Sequence, residues 1–158
     1  MKAKELMIGD WVLVNRSECV ADGGHYFEWI EVGRIMRLED GIITVRYSDH
    51  KEADTIDWAE ESEEDIEPIH ITPEILEKNG FKMKQKEGES NYEYVAAGGN
   101  YIIVFLFFRE TIYGISTVMV CELGFSGGLD RIHKCNVKYV HELQHALRLC
   151  GIEKEIVL

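Results

Sequence analysis

The segment Tyr139-Val140-His141-Glu142-Leu143-Gln144-His145-Ala146-Leu147 contains His-Glu-x-x-His. On a helix this spacing sets two imidazoles one turn apart on one face, with a carboxylate beside them. A zinc peptidase uses that arrangement to hold a metal through two histidines and to activate its bound water through the glutamate. His141 and His145 are therefore the candidate zinc ligands, and Glu142 is the candidate general base.

A catalytic zinc also needs a third protein ligand and one open position. The sequence runs only to Leu158, so a later helix bearing that ligand is not expected. Arg148 and Gly151 stand where the longer form of the motif has glycine and a third histidine. His133 and Cys135, just upstream, could complete a structural cluster instead.

At about 100° per residue, Tyr139, Val140, Leu143, Ala146, Leu147 and Cys150 fall on one apolar arc. His141 and His145 fall opposite it, beside Lys138 and Arg148. The expectation is a helix packed by its apolar arc with both histidines in solvent, and hence no metal, no cofactor and no catalytic residue. A zinc-dependent hydrolase using His141, Glu142 and His145 is the alternative.

Other candidates for chemistry are sparser. No Ser/His/Asp or Cys/His nucleophile pattern stands out. The glycine-rich Gly124-Phe125-Ser126-Gly127-Gly128 lacks the Lys-Ser/Thr of a phosphate-binding loop and reads as a mobile turn. His25, His50 and His70 are scattered single residues. Trp11, Trp29 and Tyr47 could line a concave face, though core packing is the more common use of such side chains. Cys19, Cys121, Cys135 and Cys150 form no Cys-x-x-Cys pair and read as free thiols.

The elements that would position these residues divide at about residue 67. In the first part, Leu6 to Asp10 is a turn feeding a strand at Trp11–Val14, and polar residues Asn15 to Gly24 read as a loop. Strands at Trp29–Leu38 and Gly41–Tyr47 follow, joined through Glu39-Asp40-Gly41 as a hairpin. The Gly-Asp-x-Val pattern of Gly9, Asp10 and Val12 is similar to the opening turn of SH3-like barrels. Residues 49–67 hold ten acidic side chains and one lysine, which reads as a solvated connection interrupted by Asp57-Trp58-Ala59 as a short strand or turn.

In the second part, Thr72, Pro73 and Glu74 start a helix that Asn79-Gly80 ends. Strands follow at Phe81–Lys86, Tyr92–Ala96, Tyr101–Phe108 and Ile112–Cys121. The third is apolar on both faces, which predicts a central strand covered by helix on one side. Ile132 to Val137 leads into the last helix. The fold class is thus α+β, with an SH3-like region over 1–67 and an α-β-β-β-β-α region over 68–158.

Charge sharpens the functional expectation. Residues 1–70 carry 18 acidic and 7 basic side chains, against 11 and 10 in residues 71–158. That balance disfavours phosphate backbones, which are met by Lys and Arg. It opposes an SH3-like nucleic-acid module and suits a basic protein partner for the acidic segment 49–67. The longest apolar run, Tyr101–Phe108, is far short of the ~20 residues that span a bilayer. With no leader-like N-terminus, the expected location is cytoplasmic.

Three segments resemble an uncharacterised family of short proteins from gut Bacteroides-type bacteria, often carried on prophages and other mobile elements. Ile69 to Phe81 is similar to its Leu-Thr-Pro-Glu-Ile-Leu-x-x-Asn-Gly-Phe motif, and Tyr139 to Gln144 to its Tyr-Val-His-x-Leu-Gln helix. Met1 to Val14 resembles its Lys-x-x-x-Leu-x-x-Gly-Asp-Trp-Val opening. The resemblance implies an intracellular, element-derived protein with no assigned activity. It also implies asparagine as the usual residue at the position of His145, so a second metal ligand is not part of the family pattern. The combined expectation is a non-enzymatic interaction or structural module.

Overall fold

The computed structural model describes residues 5–20, 25–39, 41–47, 58–84, 91–97, 102–109, 116–123 and 127–158. The chain is α+β, with two antiparallel five-stranded sheets and two helices among the described residues. It divides into compact units Met1–Ile69 and His70–Leu158. Among the described residues no helix is long and apolar enough to cross a membrane.

The first unit contains β1 (Trp11–Val20), β2 (His25–Glu39), β3 (Ile42–Tyr47), β4 (Trp58–Glu61) and β5 (Ile66–Pro68), in the order β4-β3-β2-β1-β5. Alternation turns Val12 and Val14 of β1, Ile43, Val45 and Tyr47 of β3, and Ile66 of β5 to one side. There they form a core with Leu6 and Ile35. A Cβ on Gly33 would lie 2.2 Å from the Val45 side chain, so close packing between β2 and β3 requires glycine.

The Gly9-Asp10 turn is stitched to β2. Gly9 has φ 91°, its N–H donates to Ile35 O at 2.7 Å, and Ile35 N–H donates to Asp10 O at 2.9 Å. The buried Asp10 carboxylate accepts the Met7 N–H at 2.7 Å.

Two expectations for this unit are corrected. Asn15 to Val20 is not loop but the outer half of β1, paired with β2 from Arg16↔Trp29 to Val20↔His25. Its polar residues pointed to a loop, yet a strand in a two-stranded ribbon can be polar when its side chains face water. The acidic segment is likewise not a plain connection. Residues 49–57 lie outside the described residues, but Trp58-Ala59, read as a short strand or turn, opens β4 against β3, and Ile66–Pro68 forms β5 against β1. Ala59 and Ile66 pack inward while Glu60, Glu63, Glu64 and Glu67 stay exposed, so like charges avoid burial without leaving the sheet.

The second unit opens with α1 (Pro73–Lys78), where Thr72 Oγ1 accepts the Ile75 N–H at 3.3 Å. Gly80, at φ 75°, ends the helix. Then come β6 (Lys82–Lys84), β7 (Asn91–Ala97), β8 (Ile102–Arg109), β9 (Ser116–Leu123) and β10 (Leu129–Val137), ordered β10-β9-β8-β7-β6, followed by α2 (Val140–Leu149). The stretch expected only to lead into the last helix is thus most of a fifth strand. β8 is central, and its buried Val104 and Leu106 pair with buried Val120 and Val118 of β9. α2 lies against β9 and β10 with Val140, Leu143, Ala146 and Leu147 buried.

Beyond α2 the tail pairs with no strand among the described residues, yet Ile152 and Ile156 are buried. Two side-chain carboxamides hold it. Gln144 Nε2 donates to Lys154 O and Gln144 Oε1 accepts the Ile156 N–H, each at 2.7 Å. Asn79 Nδ2 donates to Ile75 O and Val157 O, each at 2.7 Å, and Asn79 Oδ1 accepts the Val157 N–H at 2.8 Å. Removing one carboxamide strands backbone groups in a buried place, which costs about 1–3 kcal/mol per group. Gln144→Ala is therefore expected to lower unfolding stability in urea by about 2–4 kcal/mol. Hydrogen exchange should accelerate at the Ile156 amide, while exposed Lys82→Ala should change neither measurement.

Candidate functional site

The His-Glu-x-x-His residues lie in the first two turns of α2. The Glu142 carboxylate reaches back past the helix start, where Oε2 accepts the N–H groups of Lys138 at 2.6 Å and Tyr139 at 3.1 Å. These donors sit at the positive end of the helix dipole and stabilise a carboxylate there. Glu142 thus carries out a structural task in the position where a general base was sought.

His141 is not in solvent. It is 4% exposed, which corrects the orientation expected from the helical wheel. Its ring stacks on Tyr139, with centroids 5.7 Å apart and planes 10° apart, and it meets His145 edge-on at 5.7 Å. His70 meets the Tyr139 ring edge-on, with centroids 5.0 Å apart.

The cause lies outside the helix. Residues 70 and 139 form an isolated antiparallel bridge, and Ile71 N–H donates to Lys138 O at 3.2 Å. The strand-like approach to α1 is thereby drawn onto the start of α2. On the next turn Gln144 bonds the tail. The buried face of α2 consequently includes His141 and Gln144 as well as the apolar arc, and only His145 of the two histidines keeps partial exposure.

The candidate ligands do not converge. Among the described residues no group of three or more His, Cys, Asp or Glu side chains is placed to hold a metal. His133 and Cys135 lie on β10, opposite Val120 and Val118 of β9, and do not complete a set with His141 and His145. Cys121 is buried, and Cys135 and Cys150 are half-buried free thiols. Burial pushes the Cys135 thiol up, as do the nearby Cys150 and Glu142; burial alone raises Cys150. Both shifts disfavour the nucleophilic thiolate. The histidines at 25 and 50 and residues 124–126 lie outside what is described of side chains.

A denser constellation occupies the first unit. Alternation along β1 puts Arg16 on the same side as Val12 and Val14, where the core meets the projecting β1–β2 ribbon. Its guanidinium lies 4.6 Å from the Tyr47 ring centroid and 5.8 Å from that of Trp29. Arg16 Nη1 reaches Glu31 Oε2 at 3.3 Å, and Nε lies 4.0 Å from Glu61 Oε1. The Tyr47 hydroxyl donates to Glu61, and Trp29 Nε1–H donates to Glu31 Oε2 at 3.5 Å.

Of the three aromatics singled out in the sequence, Trp29 and Tyr47 therefore share one cation. Trp11 points to the opposite face and carries Arg34 at 5.8 Å. Arg16 itself was missed because its segment looked like loop; the Val12, Val14, Arg16 alternation was the available signal. A cleft of about 520 Å³ borders the ribbon, lined by Asn15, Arg16, Ser17, Glu28, Trp29, Ile30 and Asp65. By alternation, Asn15, Ser17, Glu28 and Ile30 belong to its other side.

No family model matches the sequence, and neither a curated protein nor a solved structure matches it. The geometry of the chain itself therefore carries the functional reading.

Two outcomes follow from the site. Glu142→Ala should cost about 1 kcal/mol of stability through the lost cap, with Glu142→Gln retaining part of it. Thermal melts should show the same loss with and without a chelator, whereas a zinc role would make the loss chelator-sensitive. Burial, then the hydrogen bond to Glu61, raises the Tyr47 phenol above its ordinary value of 10.0. Because the folded-state value is raised, the associated stability is present below the ordinary tyrosine range and lost as pH rises through the folded value. In an ultraviolet titration Tyr47 should ionise above the ordinary tyrosine range, and Glu61→Gln should bring it earlier.

Proposed function

We propose that the chain is a non-enzymatic interaction or structural module of phage or mobile-element origin, acting in the cytoplasm. Its first unit, on this reading an SH3-like barrel, binds a basic partner protein through an acidic surface. The carrying observation is where the acid sits: Glu60 on β4 and Glu63 and Glu64 in the following turn are all exposed on an edge of a folded sheet. An ordered array of carboxylates presents a defined pattern of charge, and such a pattern steers and selects cationic partners.

The charge division between residues 1–70 and 71–158 supports the same reading, because repulsion within one unit is tolerated while the other stays nearly balanced. The alternatives have less support. A zinc hydrolase would need Glu142 released from its cap, and a nucleic-acid module would need cations where the first unit has acids.

The test is salt-dependent co-purification from the native host, using the intact chain. Glu61 is left unchanged because it holds Tyr47 and Arg16. Neutralising Glu60, Glu63 and Glu64 to glutamine is expected to reduce recovery of a basic partner by roughly tenfold, as three surface charges near a cationic patch permit. An identical partner set at identical salt would reject the acidic surface.

A further inference from the structure

The outer end of the β1–β2 ribbon exposes aromatic side chains beside acids. Phe27 and Trp29 are 64% and 39% exposed. They lie two residues apart on β2, so they share a face, and their cross-strand partners on β1 are Glu18 and Arg16. Glu31 continues that face toward the core. A single soluble chain normally limits exposed aromatic surface, and two neighbouring rings at an extended arm mark a contact site rather than a packing remnant.

The protein already shows what this face binds. Arg16 lays its guanidinium against Trp29 and Tyr47 and pairs with Glu31. It fills only the inner part, since the Trp29 indole and the Phe27 ring both stay accessible. The charge count among the described residues is also unbalanced: Glu18, Glu31 and Glu61 share this face or its floor with one guanidinium, that of Arg16. A further cation would meet aromatic surface and uncompensated carboxylate together. Of the two natural cations, a planar guanidinium stacks on an indole and pairs with a carboxylate edge in the same pose, whereas a strongly hydrated ammonium does so less well.

We propose that Phe27, Trp29, Glu18 and Glu31 form a docking site for an arginine side chain in a basic segment of a partner protein, with Arg16 as the built-in example of the contact. The site rests on the reading of the first unit as an acidic interaction module, and it names where the partner's specificity is read. Glu60, Glu63 and Glu64 supply long-range attraction; the ribbon supplies the short-range choice of arginine over lysine.

The experiment titrates the full-length chain with a short peptide of alternating alanine and arginine, and with its lysine counterpart. Binding is followed through the indole N–H resonances of Trp11, Trp29 and Trp58. The expected result is a shift confined to the Trp29 signal, with the arginine peptide bound about fivefold or more tightly than the lysine peptide. Trp29→Ala should weaken binding roughly tenfold. Phe27→Ala, at a side chain too exposed to be needed for folding, should weaken it by a smaller factor. Trp58→Ala, which removes a still more exposed indole on β4, should leave affinity unchanged.

Equal affinity for the two peptides, unaffected by Trp29→Ala and Phe27→Ala but reduced by neutralising Glu60, Glu63 and Glu64, would overturn the ribbon site while leaving the acidic module standing. Absence of binding to either peptide at low salt would overturn both.

Discussion

The second unit depends on two carboxamides that behave as pieces of backbone. A side-chain amide offers the same donor and acceptor as a peptide group, so Asn79 and Gln144 can satisfy backbone groups of a segment outside the sheet ladders described. Between them they bond the backbone of Lys154, Ile156 and Val157. Once the tail is held, Ile152 and Ile156 are buried. Lys154 adds its ammonium 5.5 Å from the Phe81 ring centroid and a hydrogen bond to Asn79 O. A helix pair that would otherwise close a sheet on one side thereby gains a third packing partner, at the cost of keeping polar atoms inside.

The first unit handles polarity differently but by the same rule. Its core side continues past Val14 into Arg16, where an apolar residue would lie half in water. An arginine there covers Tyr47 with its planar head and meets two carboxylates, so its charge is compensated as its stem is buried. The core of the first unit therefore ends in a charged aromatic cluster instead of a ragged apolar edge. The same chemistry that finishes the core also makes the adjacent ribbon attractive to cations, which links fold and proposed function.

The His-Glu-x-x-His spacing shows how a motif can be filled by other work. Each residue of it has an assignment: Glu142 caps, His141 is stacked on Tyr139, and His145 meets His141 edge-on. The segments that resembled a family in the sequence contain Asn79, Phe81 and Gln144, and these contribute to the tail contacts. Their value is thus positional, in holding one end of the unit together, and no step of chemistry is needed to account for them.

Local order was legible in the sequence wherever it depends on neighbours a few residues away. Thr72 and Pro73 start α1, Gly80 ends it, and the uninterrupted apolar run around Val104 and Leu106 places β8 centrally, because capping, left-handed glycine and two-sided burial leave marks in adjacent residues. The polar half of β1, the extension of β4 through Glu60 and Glu61, the strand β5 and the burial of His141 left no such mark. Each results from a partner distant in sequence: β2 for residues 15–20, β3 for Trp58–Glu61, and the chain at residues 70–71 for the start of α2. A helical wheel ranks faces by polarity, but polarity does not say which face a distant segment will cover. The sequence by itself determined the caps, the alternation and the division of charge; only tertiary structure decided which polar side chains go inside, because their hydrogen-bonding partners come from elsewhere in the chain.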